Sequence, residues 1–147
     1  MANLKLKVVS QERELYSGDV DMVLAPGVEG QLGILPNHAP LITELDVGEL
    51  QVRVGDEEYI FAIHGGFMHV LPHQVIVLAD AAERAGEIDI ERAEAARQRA
   101  LEMLKKAPPE ERRLTEVALR RSAVRLKVAR RRRRRQRPTP RYEGEGG

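Results

Sequence analysis

The stretch "QVIVLADAAERAGEIDIERAEAARQRALEMLKKA" (residues 74–107) contains the change of periodicity that predicts the fold. Its first part, "QVIVLAD" (74–80), is short and rich in β-branched residues, which is typical of a strand. From residue 88 onward the stretch consists of strong helix formers, and Asp89 stands where a helix N-cap is expected. The chain is therefore predicted to change from strands to helices near residue 88.

Upstream of this point, five further segments carry apolar residues at every second position, which predicts strands. They are residues 4–10, 19–25, 48–54, 57–63 and 66–70. Two turn signals punctuate them, "VGDE" (54–57) and "LPHQ" (71–74). Because no helix is predicted between these strands, they favour an antiparallel sandwich or barrel. With the helices downstream, the fold class is α+β.

Downstream, "APPEE" (107–111) must end the first helix, and Pro109 followed by two glutamates suits the first turn of a second one. Two helices joined by a tight loop form an antiparallel hairpin. The predicted domains are therefore a β-domain over residues 1–86 and a helical hairpin over 87–137. Residues 138–147, which contain Pro and Gly, are predicted to be a disordered tail.

Composition and charge exclude several classes of protein. The chain has 147 residues with 3% aromatics and no cysteine, so disulfide and thiolate chemistry are excluded. The longest apolar run, "VIVLA" (75–79), is far shorter than the ~20 residues that span a bilayer. Residues 1–86 carry a net charge of −8, residues 87–129 of +3 and residues 130–147 of +6. This gradient indicates an interaction arm or two units with different roles.

Arginines fall beside the predicted packing faces of both helices. At about 100° per residue, the apolar stripe of the second helix is formed by Leu114, Val117, Ala118 and Val128. Arg121 and Arg125 fall within the same stripe. In the first helix, Arg92 and Arg99 line one edge of a stripe formed by Ala93, Ala96, Ala100, Met103 and Leu104. Either the guanidinium groups reach solvent on their long stems, or they form an anion site, because arginine matches phosphate oxygens bidentately.

The sequence offers no enzyme site. "GQLGILPNHAPLI" (30–42) is dense in glycine and proline, but its His38 has neither a nucleophile nor a paired carboxylate nearby. The remaining histidines lack the spacing of a metal site, and there is no phosphate-binding loop of the G-x-x-x-x-G-K-[S/T] type. We therefore predict no catalytic residue and no metal site.

Four stretches together resemble the epsilon-subunit family of bacterial F-type rotary ATP synthases. They are "GQLGILPNHAPLI" (30–42), "HGGFMHV" (64–70), "AAERAGEIDIERA" (81–93) and "EVALRRSAVRL" (116–126). The similarity runs in register from about residue 4 to residue 128.

The resemblance implies a β-sandwich of about ten strands followed by two antiparallel helices. It implies a non-catalytic subunit of the central stalk that binds the gamma subunit and the ring of c subunits. Such a subunit would be peripheral to the cytoplasmic face of the bacterial cell membrane. Its hairpin would extend toward the alpha/beta catalytic head and inhibit ATP hydrolysis, and it would require no cofactor.

Some members of this family bind ATP as a regulatory ligand through the motif Ile/Leu-Asp-x-x-Arg-Ala. The resemblance therefore implies an ATP site at the matching positions, which are Glu83, Ile88, Asp89, Arg92, Ala93, Arg99, Arg121 and Arg125. It also implies a sandwich rim close to gamma and the c ring, with Glu29, Gln31 and His38 as contacts.

The arginine run that begins at residue 130 is longer than is usual in the family. We expect Arg130, Arg131 and Arg132 to contact the acidic loops of the beta subunits or anionic lipid headgroups. Two alternatives remain: a free-standing anion-binding or nucleotide-binding protein, and a nucleic-acid-binding protein that uses the basic helix. The acidic first 86 residues and the absence of interleaved aromatics argue against nucleic acid.

Overall fold

The computed structural model describes the backbone of residues 4–135 and the side chains of residues 4–131. The predicted disordered tail (138–147) and the side chain of Arg132 lie outside this range.

The first part of the chain forms eight strands within the described residues. They are β1 (Leu4–Ser10), β2 (Glu14–Val20), β3 (Met22–Gly27), β4 (Gly30–Ile34), β5 (Leu41–Val54), β6 (Glu57–Leu71), β7 (Gln74–Ala79) and β8 (Ala82–Arg84). Their order is β2-β1-β7-β6-β5-β3-β4, and β8 pairs with β6. Both predicted turns are confirmed, at the β5–β6 and β6–β7 connections.

Strands β5 and β6 are long and contribute to two layers. Residues 41–45 of β5 pair with residues 66–70 of β6, and residues 47–54 pair with 57–64. The two blocks share one register, but the pairing is interrupted between them at Asp46 and Gly65. Gly65 and the following Gly66 have φ of +86° and +135°. A Cβ on Gly66 would lie 2.2 Å from the carbonyl oxygen of Leu78, so no larger residue fits. Counted as halves, β5 and β6 bring the sandwich to ten strand segments, in agreement with the expected number.

The sheet differs from the prediction in direction and in boundaries. Strand β1 pairs with β7 in parallel, whereas all pairs were predicted to be antiparallel. These two strands are distant in sequence, so no tight turn fixes their relative direction. The predicted strand over 19–25 is divided at Asp21, whose backbone N–H bonds to Arg53 instead of continuing either strand. Strand β4 lies inside the stretch over residues 30–42, where no strand was predicted.

The main core lies between the two layers and is aliphatic, as the scarcity of aromatics requires. Its fully buried members include Leu6, Ile34, Leu50, Ile63 and Met68.

The helices begin where the local signals predict. After a 3-10 turn (Ala85–Glu87), α1 spans Ile90–Lys106 and α2 spans Pro109–Arg135. The Asp89 carboxylate accepts a hydrogen bond of 3.1 Å from the backbone N–H of Arg92, which confirms the predicted N-cap.

Helix α2 lies between α1 and the sandwich, so it buries two faces. Thr115, Ser122 and Ala129, spaced seven residues apart, are buried on the face toward α1. Val128 is buried on another side, in a second apolar cluster with Ile60 and Ala62 of β6.

The predicted packing stripe of α2 is therefore wrong in most of its members. Only Val128 is buried, whereas Leu114 is 75% exposed, and Ala118 and Arg121 are also exposed. The prediction assumed one buried face, whereas α2 packs against both α1 and the sandwich and so has two. In α1, Ala93 and Ala100 are buried as predicted, but Met103 is exposed.

Candidate functional site

Glu83 and Arg125 join the sandwich to the hairpin. Glu83 lies on β8, opposite Ala62 of β6, and its carboxylate accepts two hydrogen bonds from Arg125. The distances are 2.7 Å from Nε to Oε2 and 3.0 Å from Nη2 to Oε1. The bidentate geometry is the strong form of an arginine–carboxylate pair.

His64 completes this contact from β6. Its ring is buried, with Nε2 3.5 Å from Oε2 of Glu83. Hydrogen bonding by His64, and then by Arg125, lowers the pKa of Glu83 despite the opposing effect of burial. Glu83 is thus held ionised and paired. The sequence showed only that His64 lacks the spacing of a metal ligand and did not predict this contact.

The Ile-Asp-x-x-Arg-Ala motif has structural roles in addition to any ligand it holds. Ile88 and Ala93 are buried in the cluster between hairpin and sandwich, while Asp89 caps α1. The motif thereby fixes where α1 begins and how it meets the sandwich.

The other three arginines of the predicted anion site are exposed. Arg92, Arg99 and Arg121 form no ion pair or side-chain hydrogen bond with any side chain of residues 4–131. Of the two alternatives, solvent exposure therefore describes these three guanidinium groups, whereas Arg125 is partly buried and bound to Glu83.

All four arginines nevertheless lie on the same edge of the groove between the helices. Each immediately precedes a buried residue of the hairpin; these residues are Ala93, Ala100, Ser122 and Leu126. Each arginine is therefore rotated by about 100° in the same sense from the interface. In an antiparallel pair, the same sense of rotation leads to the same side of the groove. We call the four residues the arginine edge; guanidinium groups match the oxygens of phosphate groups bidentately.

The predicted rim residues occupy two places. Glu29 and Gln31 are exposed at the β3–β4 turn, where Gly30 has a φ of +132°. His38 lies in the loop after β4, and its Nδ1 is 2.7 Å from the carbonyl oxygen of Ala39. The length of β4 separates the two, so they do not form one cluster.

The basic end of α2 is bound to acidic residues of the same chain. Arg130 lies 3.1 Å from Glu94 of α1. Arg131 pairs with Glu49 of β5 and lies 3.3 Å from Glu58 of β6, while Lys127 Nζ lies 3.2 Å from Glu49. Arg120 also pairs with Asp46, at 3.0 Å. Sequence reasoning missed these acidic partners, although the charge gradient was a signal that they exist.

The uncovered face of the sandwich carries an apolar patch. Ile42, Phe67 and Leu78 are 69%, 54% and 52% exposed. Phe67 is opposite Leu78 in the β6–β7 pair, and Ile42 is opposite His69, two residues from Phe67. The three therefore form one continuous patch, since alternate residues of a strand share a face.

Within the described part of the chain, no group of three or more candidate ligands could hold a metal ion. None of its helices is both long and apolar enough to cross a bilayer.

Both parts of the chain match known families. Residues 3–85 match the model described as "ATP synthase, Delta/Epsilon chain, beta-sandwich domain", and residues 87–130 match "ATP synthase, Delta/Epsilon chain, long alpha-helix domain". An "ATP synthase epsilon chain" from Dehalococcoides mccartyi is 52% identical over 90% of this chain and 96% of the relative. A protein of the same name from Herpetosiphon aurantiacus is 50% identical over 90% of this chain and 98% of the relative.

The fold also resembles a chain in a cryo-EM structure of the Euglena gracilis mitochondrial ATP synthase, described as OSCP/F1/c-ring. The TM-score is 0.77 at 26% identity, covering 88% of this chain and 82% of the other.

Proposed function

The chain belongs to the ATP synthase delta/epsilon family and is a non-catalytic subunit of the complex. From this premise we propose that its hairpin is a regulatory arm of the central stalk and that the folded hairpin binds ATP. In the extended posture the same arm inhibits ATP hydrolysis. Family membership favours this function over a free-standing nucleotide-binding protein or a nucleic-acid-binding protein.

The observation that carries the proposal is the unpaired charge of the arginine edge. Three of its guanidinium groups face solvent beside a groove lined by small residues such as Ala93, Ala100 and Ser122. Burying a methyl-sized group contributes only about 0.8 kcal/mol, so this interface is weakly held. Hydrogen bonds to charged groups contribute about 1.5–3 kcal/mol each, so a bound polyphosphate would favour the folded posture substantially.

Each site residue has a distinct role in this proposal. Arg92, Arg99 and Arg121 offer guanidinium forks to the phosphates, while Glu83 holds Arg125 in position at the end of the edge. Asp89, Ile88 and Ala93 fix the start of α1, from which Arg92 and Arg99 project. ATP is a regulatory ligand here and is not hydrolysed.

The partners follow from the surfaces that the hairpin leaves uncovered. We assign the gamma subunit to the apolar patch of Ile42, Phe67 and Leu78, because exposed apolar patches of this kind mark protein contacts. We assign the c ring to the rim residues Glu29, Gln31 and His38. The subunit is thereby peripheral to the cytoplasmic face of the bacterial membrane. In the extended posture, Arg130, Arg131 and Arg132 meet acidic loops of beta.

ATP titration of the full chain by isothermal calorimetry tests the site. Arg121→Ala should weaken ATP binding by roughly 10-fold or more, because it removes one charge-assisted contact. Arg112→Ala is the matched control, since it removes an exposed arginine nine residues away, on the opposite side of the same helix, and should leave the affinity unchanged. Equal affinities for the wild type and Arg121→Ala, or no binding by the wild type, would end the proposal for ATP.

A further inference from the structure

Glu49 is an acidic residue whose side chain is buried between β5 and α2. It lies on the face of β5 that α2 covers, and its side chain is only 7% exposed. Arg131 of α2 donates a hydrogen bond to Oε2 of Glu49 and contacts Gln51 at 3.5 Å. The same guanidinium lies 3.3 Å from Glu58 of the neighbouring strand.

The Glu49 carboxylate depends on α2 for its neutralisation. Its Oε1 is buried and accepts no hydrogen bond within the described residues, although Lys127 Nζ lies 3.2 Å away. A buried carboxylate without a paired cation is strongly disfavoured. Glu49 is therefore tolerated in this setting because the helix that buries it also supplies the cations.

We propose that Glu49 and Glu58 form an internal docking site for Arg131, with Lys127 as a second cation, and that this ionic clasp holds the basic end of α2 against the sandwich. While it is closed, these cations are withheld from acidic surfaces of other proteins. When it opens, both the cations and the carboxylates become available to solvent or to a partner. The inference rests on the mobility of the hairpin proposed above, but not on ATP binding.

The two partners differ in burial, and this predicts unequal effects. Arg131 is 31% exposed and has Glu58 as a second partner, so it tolerates the loss of Glu49. Glu49 is far less exposed, so removing Arg131 leaves a buried carboxylate whose remaining cation among the described residues is the exposed Lys127, and separation of α2 from the sandwich would hydrate it. Arg131→Gln should therefore open the clasp, and Glu49→Gln should open it much less. Removing both charges together should close it again.

The absence of cysteine from the chain permits a direct measurement of posture. Spin labels at Asp56→Cys, in the β5–β6 turn, and Ala123→Cys, on α2, report the separation of sandwich and helix; both positions are exposed. Double electron–electron resonance measures the distance between the two labels in the full chain without nucleotide. In Arg131→Gln the ratio of open to closed molecules should rise roughly tenfold or more. In Arg131→Gln/Glu49→Gln the ratio should return toward the wild-type value.

The matched control is Arg130→Gln/Glu94→Gln. This double variant removes the ion pair of Arg130, which immediately precedes Arg131 in α2. That pair joins α2 to α1 instead of to the sandwich, and its side chains are about half exposed. Its distance distribution should match the wild type. If Arg131→Gln resembles this control, or if the variant lacking both charges is as open as Arg131→Gln, the clasp is refuted. Failure of the ATP titration would leave this distance measurement unaffected, so the two proposals are separable.

Discussion

Glu87 illustrates how one side chain can secure the connection between the two domains. Its carboxylate pairs with Arg13, from the β1–β2 connection, and with Arg84 at 3.0 Å. The hydrogen bond from Arg13 is the main reason that the pKa of Glu87 falls from 4.5 to about 2. The 3-10 turn that precedes the hairpin is thereby tied to the first strands of the sandwich.

We expect Arg13→Gln to lower the free energy of unfolding in a pH-dependent way. A carboxyl group whose pKa is depressed in the folded state stabilises that state above its unfolded pKa and loses this effect as the pH falls. The difference between wild type and Arg13→Gln should be constant above about pH 5, diminish between 4.5 and 2, and vanish below about 2. Urea unfolding at a series of pH values measures it.

Lys7→Gln provides the control for this measurement. Lys7 and Glu14 form an exposed pair at 3.8 Å, with both side chains about half exposed. Exposed pairs contribute little to stability, so this variant should show a small difference without the same pH dependence. A similar profile for both variants would mean that Glu87 has no special role.

At the scale of elements, the two helices differ in how much their sequences reveal. The start of α1 was predictable because its N-cap, Asp89, is a local signal, and Pro108–Pro109 marks the break before α2. The two buried faces of α2 were not predictable from a helical wheel, which was used to find a single apolar stripe. Val128 packs toward the sandwich and Ser122 toward α1, and only the tertiary structure defines both surfaces.

Ser122 offers a test of the α1–α2 interface. It is buried, and its hydroxyl bonds to the carbonyl oxygen of Leu119 at 2.9 Å, so it takes up little space between the helices. Ser122→Leu should overpack this interface and destabilise the closed hairpin by about 1–3 kcal/mol. Amide hydrogen exchange in α1 should accelerate, because α1 packs on α2.

Ala123→Leu is the matched control for Ser122→Leu. Ala123 is the next residue of α2 and is exposed, so the same leucine should leave exchange in α1 almost unchanged. If both variants accelerate exchange equally, helix propensity or solubility explains the effect and the buried face of α2 has been assigned incorrectly.

For the whole molecule, the sequence predicted the parts better than their contacts. The alternation of strands and the charge gradient indicated an acidic sandwich and a basic hairpin. The contacts that join them connect Glu83 to Arg125 and Glu49 to Arg131, 42 and 82 residues apart. No local pattern encodes such pairs. The lack of space for a side chain at Gly66 is similarly visible only when β7 is in place against β6.

The uncovered face of the sandwich yields a prediction about assembly. Phe67 and Leu78 pair across β6 and β7, and both are more than half exposed. If gamma binds this face, Phe67→Glu should weaken binding of the full chain to purified gamma by roughly 10-fold or more, because a charge replaces an apolar contact at the centre of the patch.

Leu114→Glu, on the hairpin, places the same charge at an even more exposed apolar residue and should leave the affinity unchanged. Surface plasmon resonance distinguishes the two variants. Equal affinities would assign gamma to another surface, and normal thermal unfolding of Phe67→Glu would exclude misfolding as the cause of a loss.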